Sequence, residues 1–138
     1  MTDKTVLIAD DEERIVTLIG DFLENAGFKT LRAYDGAEAL AAAQQNSVQL
    51  AVIDIMMPAL DGWQLTREIR KFSDMPIIML SARGEEFDML EGFDAGINEY
   101  VTKPFSPTVL VKRVEALLKL ASDSGCAESS VIVYPVSA

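Results

Sequence analysis

Leu50-Ala51-Val52-Ile53-Asp54-Ile55 is the most apolar run in the chain, and an aspartate interrupts it near its end. Six residues is strand length, and the run shows no alternation of inward and outward side chains. A strand of that kind is buried on both faces, which is the situation of a parallel sheet covered by helices on either side. Working outward, the same character returns in Thr5-Val6-Leu7-Ile8-Ala9, which is closed by acids, and in Ile77-Ile78-Met79-Leu80 after Pro76. Lys29 to Ala33 is a weaker strand and Tyr100-Val101-Thr102 a short one.

Helical patterns fill the intervals. Ile15, Leu18, Ile19, Phe22, Leu23 and Ala26 recur at helical spacing, with Gly27 as the stop. Gly36 to Gln45 is Ala-rich, with Leu40 facing inward, and Leu65, Ile69 and Phe72 form a stripe after the Pro58–Gly62 loop. Glu85 to Ala95 predicts a helix stopped by Gly96. Ser106 reads as an N-cap with Pro107 at the first helical position, opening a helix to about Leu120. Strand–helix units repeated five times predict a doubly wound α/β fold: a five-stranded parallel sheet, flavodoxin-like, of strand order 2-1-3-4-5. The folded unit is read as residues 1–121 and the remainder, 122–138, as a linker with a stub. In that stub Val131-Ile132-Val133-Tyr134 is a lone strand pattern, belonging either to the opening of a further output domain or to an added edge strand.

Composition narrows the function classes. The chain has 138 residues, 49% of them apolar and 25% charged, which suits one globular domain that buries its core without staples. Its net charge is −10, from 22 acids and 12 bases, so direct binding to nucleic acid or anionic membrane is disfavoured. It has no His, which excludes Ser-His-Asp triads, Cys-His pairs and His-based metal sites. The single Cys126 forbids an internal disulfide, no signal peptide is visible, and no apolar stretch is long enough to span a membrane. A cytoplasmic location is the expectation.

The polar residues matter by position. Asp10 and Asp11 follow the first strand, Asp54 ends the third, Ser81 the fourth and Lys103 the fifth. All lie at the C-terminal edge of the sheet, where ligands of such folds sit, and strands 1 and 3 are neighbours in the expected order. Each has an ordinary reading: Asp10 and Asp11 as helix caps, Ser81 as a turn residue, Lys103 as a solvated lysine, Tyr100 as a half-buried strand aromatic. Asp54 inside a buried run resists that treatment, because unpaired buried carboxylates are rare. Three gathered carboxylates repel one another, and a hard divalent cation such as Mg²⁺ relieves this. A lysine and a hydroxyl beside them would stabilise a phosphoryl group in transfer, and an aspartate can accept one as an acyl phosphate.

At these residues the chain resembles the receiver domain of two-component response regulators. The resemblance runs from about Lys4 to Leu120 through four motifs in order: Val6-Leu7-Ile8-Ala9-Asp10-Asp11-Glu12, Asp54-Ile55-Met56-Met57-Pro58-Ala59-Leu60-Asp61-Gly62, Leu80-Ser81-Ala82 and Tyr100-Val101-Thr102-Lys103-Pro104-Phe105. It implies Asp54 as phosphoacceptor, with a sensor histidine kinase as phosphodonor. It implies Asp10, Asp11 and Asp54 with the Met56 backbone carbonyl as Mg²⁺ ligands, and Lys103 paired with the phosphoryl oxygens. Ser81 and Tyr100 become the switch pair, and Lys103-Pro104 a cis bond. Such a domain catalyses only its own phosphorylation and dephosphorylation. Met56 and Arg83 stand where receivers flank the water that attacks the acyl phosphate, and their bulk is expected to slow its loss.

Pro107 and the Leu110–Arg113 run further resemble the winged-helix (OmpR/PhoB) class. Members of that class carry a DNA-binding domain downstream and form a phosphorylation-dependent homodimer through the fourth helix, fifth strand and fifth helix. This chain departs from the class at Met89, Asn98 and Val109, while Arg113 is retained and Glu99 keeps its charge on a longer arm. Other readings are a stand-alone receiver or phosphorelay carrier, a flavin-binding module and an Asp-nucleophile hydrolase. Asp10-Asp11-Glu12-Glu13 would repel a flavin phosphate, and Met56 stands where the hydrolase would need an acid.

Overall fold

The computed structural model describes residues 3–82 and 96–124, with side chains to residue 121. The elements are β1 (Thr5–Ala9), α1 (Glu13–Asn25), β2 (Lys29–Ala33), α2 (Gly36–Gln45), β3 (Leu50–Asp54), α3 (Gly62–Arg70), β4 (Ile77–Ala82), β5 (Glu99–Lys103) and α4 (Pro107–Ser124). All strand pairs are parallel, in the order β2-β1-β3-β4-β5. This is the predicted sheet. The predicted Glu85–Ala95 helix, Arg83, Met89, Cys126 and the Val131–Tyr134 pattern lie outside the described residues.

β3 is buried at every position, as its unbroken apolar run requires. Its side chains feed two cores. Ala51 and Ile53 join Leu7, Ala9, Met79, Leu65 and Ile69 beneath α2 and α3. Val52 and Leu50 join Val6, Ile8, Val16, Ile19, Leu23, Leu110, Val114 and Leu118 beneath α1 and α4. The period-two strand geometry sends alternate residues to opposite faces, so one apolar strand serves both layers.

The ends of the helices follow from local chemistry. At the end of α1 the Gly27 N–H reaches Glu24 O and the Phe28 N–H reaches Leu23 O, a double closure that needs the left-handed φ of +102° at Gly27. Phe28 and Leu23 then meet in the same core. Asp35 Oδ1 accepts the Glu38 N–H to start α2. Asp61 and Gln64 exchange hydrogen bonds in a capping box at the start of α3. Ser106 Oγ accepts the Val109 N–H at the start of α4, as predicted.

Several boundaries differ from the sequence reading. β4 continues through Ser81 to Ala82, and β5 is a residue longer at each end, because pairing between them runs from Ile78↔Glu99 to Ala82↔Lys103. α4 continues to Ser124, so the last turn is made by Ala121–Ser124, a stretch read as linker. Nothing in those four residues forbids a helix, and the first strong breaker is Gly125. Lys103-Pro104 is cis.

Candidate functional site

The register of the sheet sets the site. Ala9 pairs with Ile53, which places Asp10 and Asp54 one residue further along neighbouring strands. Asp54 is level with Leu80, and Lys103 is level with Ala82 across the next two strands. The fold therefore delivers carboxylates from β1 and β3 and an ammonium from β5 to one rim.

Asp10 is fully buried, Asp54 nearly so and Asp11 exposed. One carboxylate oxygen from each lies within 4.8 Å of the others. Lys103 Nζ sits 2.9 Å from Asp10 Oδ2, 3.3 Å from Asp54 Oδ1 and 3.6 Å from Glu12 Oε1. Asp10 Oδ1 accepts the Glu12 N–H at 2.9 Å. Asp10 is thus committed to turning the chain into α1. The helix itself starts beyond Glu12 with no side-chain cap, so neither Asp10 nor Asp11 is its N-cap.

Charge is unbalanced at this rim. Burial pushes the Asp54 carboxyl up to about 7, with the neighbouring Asp10 and Asp11 charges adding to the rise and Lys103 opposing it. Burial also raises Asp10, against the Glu12 N–H and Lys103. Burial pulls the Lys103 ammonium down, but its contacts with Asp10 and Asp54 outweigh this and the net shift is upward. Among the described residues Asp10 Oδ2, though close to Lys103, has no donor aligned on it for a hydrogen bond. A buried, unaligned oxygen among three clustered carboxylates is an all-oxygen donor set, and it fits a hard divalent cation.

The surrounding loop is packed tightly against the site. A Cβ on Gly62 would lie 2.7 Å from Asp54 O, 2.8 Å from Ile55 Cα and 2.9 Å from Met79 Sδ. Glycine is what allows the start of α3, where the Gly62 N–H donates to Ile55 O at 2.7 Å, to press on the end of β3. Ahead of it Ala59 holds a left-handed φ of +73°, and the flanking Pro58 O accepts both the Leu60 and the Gly36 N–H groups. That knot ties the loop after Asp54 to the start of α2.

The other predicted residues are placed as follows. Ser81 is buried in β4, one register step from the level of Lys103, with Oγ 3.4 Å from Ala82 O. Tyr100 is partly buried in β5, level with Met79, against the core under α2 and α3. The Met56 side chain is 60% exposed beside the site. Asn98 Oδ1 accepts from the Ile77 N–H and from Arg70 Nη2, so it closes the start of the β4–β5 edge. Glu99 pairs with Arg113 within the chain, and Val109 is exposed. Sequence reasoning gave no role to Glu12, Gly62 or Ala59. Glu12 adjoins the acidic pair, which is a signal of proximity only. A close backbone approach and a left-handed alanine leave no mark in composition or spacing.

Comparison with known proteins agrees with this geometry. The response regulator receiver domain family matches residues 6–115. Over 118 residues the chain is 44% identical to the alkaline phosphatase synthesis transcriptional regulatory protein PhoP of Bacillus subtilis, covering 85% of this chain and 49% of that protein. Over 119 residues it is 43% identical to the regulatory protein VanRc of Enterococcus gallinarum, covering 86% and 51%. The chain spans about half the length of the curated relatives it matches. A CheY-like receiver domain of Methanospirillum hungatei superposes with a TM-score of 0.85 at 26% identity, covering 90% of this chain and all of that one. The receiver domain of the Francisella response regulator 1452 superposes with a TM-score of 0.80 at 40% identity, covering 86% and 99%. Among the described residues no helix is long and apolar enough to cross a membrane. With the family's model matching residues 6–115 and the sheet superposing on solved receiver domains, the chain belongs to the response regulator receiver domain family.

Proposed function

We propose that this domain accepts a phosphoryl group on Asp54 from a sensor histidine kinase and uses it to switch the β5–α4 side of the molecule. The observation that carries the reading is the convergence of Lys103 Nζ on Asp10 and Asp54, at 2.9 and 3.3 Å, within the three-aspartate cluster. Mg²⁺ would be held by the Asp10, Asp11 and Asp54 carboxylates with the Met56 backbone carbonyl. When bound there it supplies positive charge to the transferring phosphoryl oxygens. An Asp54 carboxylate oxygen attacks phosphorus, the P–O bond forms, and the bond from phosphorus to the donor nitrogen breaks. Lys103 stays within reach to pair with the new oxygens, and the Ser81 hydroxyl donates to them.

The product adds about −1.5 to −2 charge and three acceptors at the rim. Ser81 is drawn toward them, and Tyr100 turns further inward from its half-buried place in β5. Altered contacts on that side bias a two-state surface. The curated relatives are about twice as long and include transcriptional regulators. We take the output to be a DNA-binding domain, with the receiver running to the end of α4 at Ser124 and the residues after it as linker and the start of that output. The reading places the whole in the cytoplasm and includes a phosphorylation-dependent homodimer through the β5–α4 side. Asn98 and the Glu99–Arg113 pair are engaged within the chain, so that dimer needs contacts other than the usual salt bridges, with exposed Val109 as one of them.

The test is incubation with Mg²⁺ and acetyl phosphate followed by intact mass. Gain of one phosphoryl group, absent in Asp54→Ala and without Mg²⁺, is expected. No gain in the unsubstituted protein, or an equal gain in Asp54→Ala, refutes the assignment.

A further inference from the structure

Lys103 has three N–H donors, and the described residues offer it three carboxylates: Asp10 at 2.9 Å, Asp54 at 3.3 Å and Glu12 at 3.6 Å. Two of these belong to the cluster that would hold a divalent cation. Glu12 does not, and its carboxylate is half exposed at the rim. Its backbone is pinned, because its N–H is held by Asp10 Oδ1 at 2.9 Å. Among the described residues its other cationic neighbour is Arg14, 4.0 Å away and 90% exposed, a weak competitor for Glu12.

A cation entering the cluster competes with Lys103 for Asp10 and Asp54. Two positive groups a few ångströms apart repel strongly in a partly buried site. Either the ammonium leaves the site, and with it the group that would meet a phosphoryl oxygen, or something holds it beside the cation. We propose that Glu12 is a positioning residue for Lys103, keeping the ammonium at the rim when a divalent cation takes over the Asp10 and Asp54 oxygens. By offering the displaced ammonium a carboxylate of its own, Glu12 lowers the cost of surrendering the Asp10 and Asp54 oxygens to the cation, and it touches neither the cation nor the phosphoryl group.

Acting through Lys103 has a consequence that a simple field effect of one more negative charge does not. Glu12→Gln removes the charge, and Glu12→Asp keeps it on an arm one methylene shorter, out of reach of Lys103. The assay is calorimetric titration of the metal-free domain with MgCl₂ alone. Both variants are expected to bind Mg²⁺ less tightly by roughly 1.5- to 5-fold, the range set by a partly exposed ion pair. In a Lys103→Met background the Glu12→Gln loss is expected to vanish. An undiminished loss in that background, wild-type affinity in Glu12→Asp, or no loss in Glu12→Gln overturns the proposal. The inference rests on the Mg²⁺ reading of the cluster, so the unsubstituted domain is titrated first. Failure there refutes the cation site itself, whereas binding that ignores Glu12 refutes only the positioning role.

Discussion

Raising the pH of the metal-free domain from about 5 to about 8 will weaken it, and Asp54→Asn will remove most of that weakening. The ordinary ionisation of Asp54 is at 3.8, and in the fold it is pushed up to about 7, by burial first and then by the Asp10 and Asp11 charges, against Lys103. Between those two values the folded protein holds a proton that the unfolded chain has released. Stability contributed by this group is therefore greatest in acid, falls as pH climbs through the interval, and levels off above about 7. A gap of about three units, at ~1.4 kcal/mol each, sets a ceiling of about 4 kcal/mol. The Lys103 attraction is already inside that balance, so its loss in the amide variant is not a further debit.

About two of those units lie above pH 5, about 3 kcal/mol, which for a domain of this size corresponds to a midpoint shift on the order of 10 °C. The assay is thermal or urea unfolding of both proteins in EDTA at several pH values, with the difference between them as the readout, which cancels titrations elsewhere. Asp54→Asn should be the more stable protein at about pH 8, and the gap should narrow toward pH 5 and close only near the ordinary ionisation at 3.8. Excess Mg²⁺ at about pH 8 should raise the unsubstituted protein more than the variant, since a ligand bound only by the folded state stabilises it by mass action. Parallel pH profiles for the two proteins, or a gap that widens toward acid, would refute the claim that ionised Asp54 is held at a cost.

Gly62→Ala should destabilise the domain by about 1–3 kcal/mol, because the new Cβ meets Asp54 O and Ile55 Cα, both backbone atoms that cannot swing aside; an unchanged urea midpoint would contradict this. Ala59→Gly should stabilise by up to about 1 kcal/mol, relief of the left-handed φ of +73° being partly offset by unfolded-chain freedom, and a lower midpoint counts against it. Asp61→Ala opens the capping box with Gln64 and should lower stability by about 1 kcal/mol, read from the same denaturant curves. Phosphorylated protein should lose phosphate more slowly than a Met56→Asn, Arg83→Glu variant, and equal rates of phosphate release would remove the idea that these side chains hinder water.

The sheet was legible because β3 carries no polar residue until Asp54, and a run buried on both faces admits few architectures. The aspartates and Lys103 were legible for a related reason: parallel strands put all their C-terminal ends on one rim, so the residues that close each strand share a neighbourhood. Boundaries were less so. Lys103 ends β5 as read, but Ser81 was read as the end of β4 and the strand runs on to Ala82, because the β4–β5 ladder is carried on by backbone groups that have no side-chain signature. The role of Asn98 was hidden likewise. It looked like a departure at an interface, but its amide oxygen takes the Ile77 N–H and Arg70, contacts across 21 and 28 residues of chain that only the fold brings together.

Among the described residues, Lys103 meets Asp10, Glu12 and Asp54 at this rim, and Asp11 joins Asp10 and Asp54 in the carboxylate cluster. Such an arrangement is poor structural chemistry if it is complete, since a buried pair serves stability better when its charges balance. It becomes sensible if further charge is to arrive in two instalments of opposite sign. On the proposed function, a divalent cation would offset most of the negative charge that repels a phosphoryl group, and the phosphoryl group, once on Asp54, would meet Lys103 and Ser81. The tight surroundings follow from the same requirement. Gly62 presses on Asp54 and the Pro58–Leu60 knot ties the loop to α2, so the charged groups cannot relax apart and dissipate the imbalance. On the proposed function, stability lost at the rim would be converted into responsiveness, read out through β4 and β5, which carry Ser81 and Tyr100.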